Sequence, residues 1–180
     1  LKEPAIFIAN HVGYFDAPNV LMSLPLRIRS KMAVAAWQEY FDIPKNKILK
    51  KLLYQFYYEY ASLLVNIFPF PKKKGFKRHI EYAGELLDKG WGILFFPEGE
   101  HSKTGKLQPF RAGIGWLAKE MRCHIVPIKH RGLEKIMAGD EHQLPRFGKV
   151  AIKIGKPVKL DYTKSIPVLT SELQEIMEKM

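Results

Sequence analysis

Two side chains near the start of the chain have the types and spacing to move a proton. They are His11 and Asp16, in the stretch Ala9-Asn10-His11-Val12-Gly13-Tyr14-Phe15-Asp16. A neutral imidazole takes a proton from an alcohol when its other nitrogen is held in one tautomer. A carboxylate on that nitrogen fixes the tautomer and stabilises the imidazolium that forms. The intervening residues let the chain turn back so that Asp16 reaches His11. Ala5-Ile6-Phe7-Ile8 reads as a short buried strand, and Asp16-Ala17-Pro18 as a helix start, with Asp16 able to cap and Pro18 tolerated in the first turn. A base at a strand end beside a carboxylate at a helix start lies where open α/β sheets place ligands. The plainer alternative is a surface loop with a histidine and an ordinary capping aspartate.

A second stretch bears on that choice. The apolar run Gly92-Ile93-Leu94-Phe95-Phe96 leads into Pro97-Glu98-Gly99-Glu100-His101-Ser102 and the polar turn Lys103-Thr104-Gly105-Lys106. Pro109-Phe110-Arg111-Ala112-Gly113 and Ile125-Val126-Pro127-Ile128 follow in order. Together, N-H-x4-D and the later F-P-E-G resemble the glycerolipid acyltransferase family of the lysophosphatidate acyltransferase, PlsC-like type. The resemblance covers about residues 4 to 135. It implies that His11 and Asp16 are catalytic, and that Glu98, Gly99, His101, Ser102, Lys103 and Arg111 bind substrate. The family's motif usually continues Thr-Arg-Ser after Glu-Gly. Here Glu100-His101-Ser102 stands instead, so a histidine occupies the place of the phosphate-binding arginine. The family's I-D-R block is replaced by Pro69-Phe70-Pro71, followed by the cationic run Lys72 to Arg78. Lys103, Lys106 and Arg111 are nearby cations that would compensate.

The implied reaction moves a fatty acyl group from acyl-CoA or acyl-carrier protein to a hydroxyl. The acceptor would be lysophosphatidate (1-acyl-sn-glycerol-3-phosphate) or a related glycerolipid. His11 would deprotonate the hydroxyl, which attacks the thioester directly, and the thiol leaves. The thioester is a co-substrate, and no cofactor is needed. Backbone N–H groups near Gly13 or Gly99 are the expected donors to the developing oxyanion. Glu98 is expected to hold a cationic side chain or an acceptor hydroxyl. Two other readings remain open. One is a catalytically inactive membrane-binding domain, which would not need the His11 and Asp16 pair. The other is a thioesterase, which would use the same base on water. The stretch Tyr82 to Glu100 also looks like acyltransferase domains fused to acyl-activating synthetases.

Composition narrows the partners. The chain of 180 residues carries 29 Lys and Arg against 18 Asp and Glu, a formal charge of +11. This favours anionic partners, namely a membrane surface or phosphorylated substrates. Nucleic acid is disfavoured, because no RRM, KH or zinc-finger signature occurs. No apolar run is long enough to span a bilayer; the charge, the 45–60 segment and the solubility of the implied product give a peripheral place on the cytoplasmic face of a membrane as the expected location. Lys45 to Tyr60 reads as a basic amphipathic helix, suited to a membrane interface or to ordinary packing on the sheet. Cys123 is the only cysteine, so no internal disulfide forms. No His, Cys and carboxylate spacing matches a metal ligand set. His79, His124, His130 and His142 read as structural or solvated. The chain opens on Leu1, almost at a strand, and is expected to be a fragment of a longer protein with an N-terminal segment or fused partner missing.

Strand and helix patterns alternate throughout. Strands are expected over 4–10, 32–36 (beside the first), 61–68, 92–96, 124–129 and 150–155. Helices are expected over 16–24, 75–89, 112–122 and 165–180. Pro127 argues that its strand is an edge or a strand end. The expected fold is a single α/β domain, residues 1–180, with a mostly parallel central sheet flanked by helices.

Overall fold

In this computed structural model the described residues are 3–13, 15–37, 66–70, 76–102, 104–136 and 147–180. They form one six-stranded sheet with helices on both faces. In chain order the elements are β1 (Ala5–Ala9), α1 (Asp16–Ser23), α2 (Leu26–Arg29), β2 (Met32–Trp37), β3 (Ile67–Phe70), α3 (Phe76–Asp88), β4 (Gly92–Phe95), α4 (Ala112–Met121), β5 (His124–Arg131), α5 (Leu133–Ile136), β6 (Ala151–Ile154) and α6 (Ile166–Glu178). The strand order is β3-β2-β4-β1-β5-β6. All neighbours pair parallel except β5 and β6. This is the expected mostly parallel α/β sheet.

Alternation along the strands sorts the core into two layers. Ala5, Phe7 and Ala9 of β1 join Val20 and Leu21 of α1 on one face. Ile6 and Ile8 join Ala83 and Leu87 of α3, Ile114 and Leu117 of α4, and Leu173 and Met177 of α6 on the other. β1 and β4 are all buried and almost wholly apolar, as strands covered on both faces must be. The helices show their inward stripes at helical spacing: Ile80, Ala83 and Leu87 on α3, and Leu169, Leu173 and Met177 on α6.

Three expectations change. β2 does not lie beside β1, because β4 sits between them. The expected strand over 61–68 appears as Ile67–Phe70 and runs on through Pro69; its residues 61–65 lie outside the described chain. β3 stands at one edge of the sheet, where a missing N–H costs no ladder bond. Pro127, by contrast, lies inside the sheet, with Ile8 of β1 opposite it. It is tolerated because its backbone faces the β6 side just where β6 ends. Gly155 N donates to Pro127 O at 2.8 Å, and the chain bridges again only at Val158 with Ile125. The basic segment 45–60 and the lysines at 72–74 lie outside the described residues.

Parallel order decides where a site forms. β1 and β4 are adjacent, but the chain leaves β1 for α1 on one face and leaves β4 for α4 on the other. Such divergent connections open a crevice at the carboxyl ends of the two strands. His11 follows β1, and the Glu98 loop follows β4.

Candidate active site

The chain turns sharply after β1. Asp16 N donates to Gly13 O at 3.2 Å, and α1 starts at once. Asp16 is not the helix cap; it is the first helical residue, and its carboxylate points back into the turn. One oxygen, Oδ2, accepts from Val12 N at 2.5 Å, from Gly13 N at 3.0 Å and lies 2.7 Å from His11 Nδ1. The Asp16 side chain is fully buried, and the His11 side chain is 19% exposed. The carboxylate therefore closes the loop and holds the imidazole with one atom. With Nδ1 bonded to Asp16, Nε2 is the ring nitrogen left for a substrate proton.

The ring of His11 is fixed from two further sides. Phe96 stacks on it with centroids 4.4 Å apart and planes 22° apart, and His101 meets it edge-on at 4.2 Å. Both come from the end of β4 and its loop. The same loop grips the His11 backbone, since His11 N donates to Glu98 Oε1 at 2.7 Å and Ser102 N donates to His11 O at 2.7 Å.

Glu98 is buried, and its second oxygen accepts from Gln108 N at 2.8 Å. Its carboxyl is pushed up to about 7, chiefly by burial; the N–H groups of Gln108 and His11 pull it down, and the Asp16 carboxylate pushes it up further. Among the described residues the carboxylate is held by these two backbone amides and not by a cationic side chain. Gly99 turns the loop with φ 70° and donates its N–H to Phe96 O at 3.1 Å; only glycine adopts that region freely. Gly13 N is likewise committed to Asp16. The N–H groups of Gly13 and Gly99 themselves are thus both engaged within the protein.

Ser102 is buried, and its hydroxyl donates to Lys106 O at 2.6 Å. This bond ties the loop. Arg111 caps the loop from outside, with Nε donating to Glu98 O at 3.1 Å and Nη2 to Glu100 Oε1 at 2.8 Å. Lys103 lies outside the described residues. Of the expected site residues, His11, Asp16, Glu98, Gly99, His101, Ser102 and Arg111 gather at one place.

Two residues absent from that expected set belong to the same shell. Asn10 follows β1 and reaches β5: Asn10 Nδ2 donates to His130 O at 3.1 Å, and His130 N donates to Asn10 Oδ1 at 2.9 Å. His130, read from sequence as structural or solvated, is buried beside Asp16. The motif letter N in N-H-x4-D was the available signal for Asn10; nothing local marked His130. Among the described residues no cluster of His, Cys, Asp and Glu is arranged to hold a metal ion. No helix among them is long and apolar enough to cross a membrane.

Comparison with known proteins bears on the fold and the family. A crystal structure of the 1-acyl-sn-glycerophosphate (LPA) acyltransferase PlsC from Thermotoga maritima has the same fold, with a TM-score of 0.69 at 22% identity over 99% of this chain and 65% of that one. The chain is 27% identical to a chloroplastic 1-acyl-sn-glycerol-3-phosphate acyltransferase of Arabidopsis thaliana, over 86% of this chain and 39% of that protein. It is 28% identical to a Dictyostelium discoideum protein named Taffazin, over 99% of this chain and 63% of that protein. The chain thus spans less than two thirds of either relative. The family model described as Acyltransferase matches residues 1–131, so this chain, with its PlsC-like sheet and its His11 and Asp16 pair, belongs to the acyltransferase family.

Proposed function

We propose that this protein transfers a fatty acyl group from a thioester, acyl-CoA or acyl-carrier protein, to a hydroxyl of lysophosphatidate or a related glycerolipid. The observation that carries the reading is the His11 Nδ1 to Asp16 Oδ2 contact of 2.7 Å at the β1 and β4 crevice. His11 Nε2 accepts the hydroxyl proton as the oxygen attacks the thioester carbon. Asp16 holds the tautomer and stabilises the imidazolium. The tetrahedral intermediate collapses, the C–S bond breaks, and the thiolate takes the proton back. No covalent acyl-enzyme is needed, which suits a chain whose one thiol, Cys123, is pushed up by burial.

The acceptor side carries positive charge from Arg111 and Lys106, with His101 beside the base. The head group of the acceptor meets this rim, and Glu98, Gly99 and Ser102 hold the loop that presents it. The net charge of +11 favours a peripheral position on an anionic, cytoplasmic membrane face.

The test is thiol release from palmitoyl-CoA, with and without lysophosphatidate, for the parent and His11→Ala. Acceptor-dependent release that disappears in His11→Ala supports the reading. Release that needs His11 but no acceptor makes the protein a thioesterase. No release from a folded sample, with several acceptors and both donors, removes the catalytic reading in favour of a binding domain.

A further inference from the structure

Asp16 is an asymmetric carboxylate. Oδ2 takes every hydrogen bond described above, whereas Oδ1 is fully buried and has no hydrogen-bond partner among the described residues. A buried carboxylate oxygen without a nearby polar hydrogen is unfavourable. The polar group that faces it is His130 Nε2, at 3.6 Å. That distance is too long for a hydrogen bond but close enough for a strong electrostatic contact in a dry site.

The hydrogen on Nε2 follows from its second neighbour. His130 Nε2 lies 2.7 Å from Asn10 O. A carbonyl oxygen only accepts, so Nε2 carries the hydrogen. Its N–H thus bonds Asn10 O and presents its positive end to Asp16 Oδ1. The other ring nitrogen, Nδ1, is buried and has no hydrogen-bond partner among the described residues. The ring therefore has one polar task, on the side of the catalytic pair.

His130 also grips Asn10 through its backbone, which gives three hydrogen bonds between the two residues. Asn10 immediately precedes His11. One residue of β5 thus fixes the chain that carries the base and faces the free oxygen of the carboxylate that orients it. We propose that His130 is a positioning residue for the His11 and Asp16 pair, locking the end of β1 and holding the Asp16 carboxylate in the rotamer that bonds His11. The inference rests on the acyl-transfer reading only for its kinetic consequence; the geometric claim stands apart from any substrate.

Three variants separate positioning from bulk. Glutamine places its amide nitrogen where His Nε2 stands, asparagine places it where Nδ1 stands, and leucine has no donor. The kinetic readout is kcat and KM for palmitoyl-CoA and lysophosphatidate. The substrate-free readout is the low-field proton NMR resonance of His11 Nδ1–H bonded to Asp16. His130→Leu is expected to lower kcat by about tenfold to a hundredfold with both KM values little changed, and to lose or shift the resonance. His130→Gln is expected to restore both. If His130→Leu does not fold, His130→Asn replaces it, with the same expectation. A folded Leu or Asn variant with parental kcat and an unmoved resonance overturns the proposal. So does a Gln variant as impaired as the Leu variant, since the side chain would then serve packing alone. If the parent turns over no thioester, the acyl-transfer reading fails, and the NMR comparison still decides the role of His130.

Discussion

The backbone N–H of His11 donates to Glu98 Oε1 at 2.7 Å, so the loop after β4 holds the residue whose side chain is the base. The two halves of the site are 87 residues apart in sequence and share one buried carboxylate. Glu98 also binds Gln108 N, on the far side of its own loop. The glutamate of the F-P-E-G motif is therefore a bracket. It joins the end of β1 to the returning chain, and it sets the height of His11 above the crevice.

The bracket has a pH signature. Glu98 is pushed from 4.5 up to about 7 in the folded chain. A carboxyl raised above its unfolded value adds stability that is fully present below about 4.5 and is lost as pH rises through about 7. Full ionisation removes about 3 kcal/mol. Glu98→Gln has no proton to lose. The stability of the parent relative to Glu98→Gln should therefore fall between pH 5 and pH 8. Urea unfolding of both proteins across that range measures it, and a flat difference would show that burial does not govern this carboxyl.

Asp16→Asn keeps the volume but not the charge. An amide can present its nitrogen to the Val12 and Gly13 N–H groups, which repels them, or its oxygen, which leaves no anion for the imidazolium. Either way the tautomer and charge control of His11 weaken. A loss of about 10³- to 10⁴-fold in kcat is expected, with acyl-CoA binding retained by calorimetry. A variant within tenfold of the parent would mean that Asp16 is only a loop-closing residue.

Phe96 acts on His11 by shape alone. Its ring stacks at 4.4 Å, and the side chain is buried at the end of β4. Phe96→Ala opens a cavity under the imidazole, with an expected stability loss of about 3–5 kcal/mol. Because the ring of His11 then has a free face, kcat should fall more than KM rises. Phe96→Leu refills most of the volume and should recover most of the stability. Thermal unfolding and steady-state kinetics on the pair separate the two effects.

The sequence carried the local parts of this site better than the relations between them. His11 and Asp16 were legible because a strand end, a turn and a helix start fall within eight residues, and local geometry forces them together. The strands over 5–9 and 92–95 were legible as apolar runs. Their adjacency was not: parallel neighbours are joined by crossovers, so chain order placed β2 beside β1, where β4 stands. The backbone grip of Glu98 was hidden for a similar reason. A carboxylate in a motif suggests a ligand, and its two backbone-amide partners have no residue-type signal. The pairing of Asn10 with His130 crosses 120 positions and exists only once β5 lies against β1.

One close contact lies in the helix layer over the sheet and tests the fold without touching the pair. Gly115 of α4 faces α6 at its first turns. A Cβ built there would collide with Thr170 Oγ1 and stand 2.6 Å from Ile166 O. The second contact is backbone, so it cannot swing away. Thr170 Oγ1 already donates to Ile166 O at 2.8 Å, which leaves the hydroxyl little room to move. Gly115→Ala must therefore push α6 away from α4, at an expected cost of about 1–3 kcal/mol. α6 also reaches the site loop, because Gln174 Oε1 accepts from Phe110 N at 2.9 Å. A small rise in KM for the acceptor is expected, with kcat nearly unchanged, since the His11 and Asp16 geometry is set on the β1 side. Urea unfolding gives the first quantity and acceptor titration the second. An unchanged stability would show that the two helices are not packed at the spacing described.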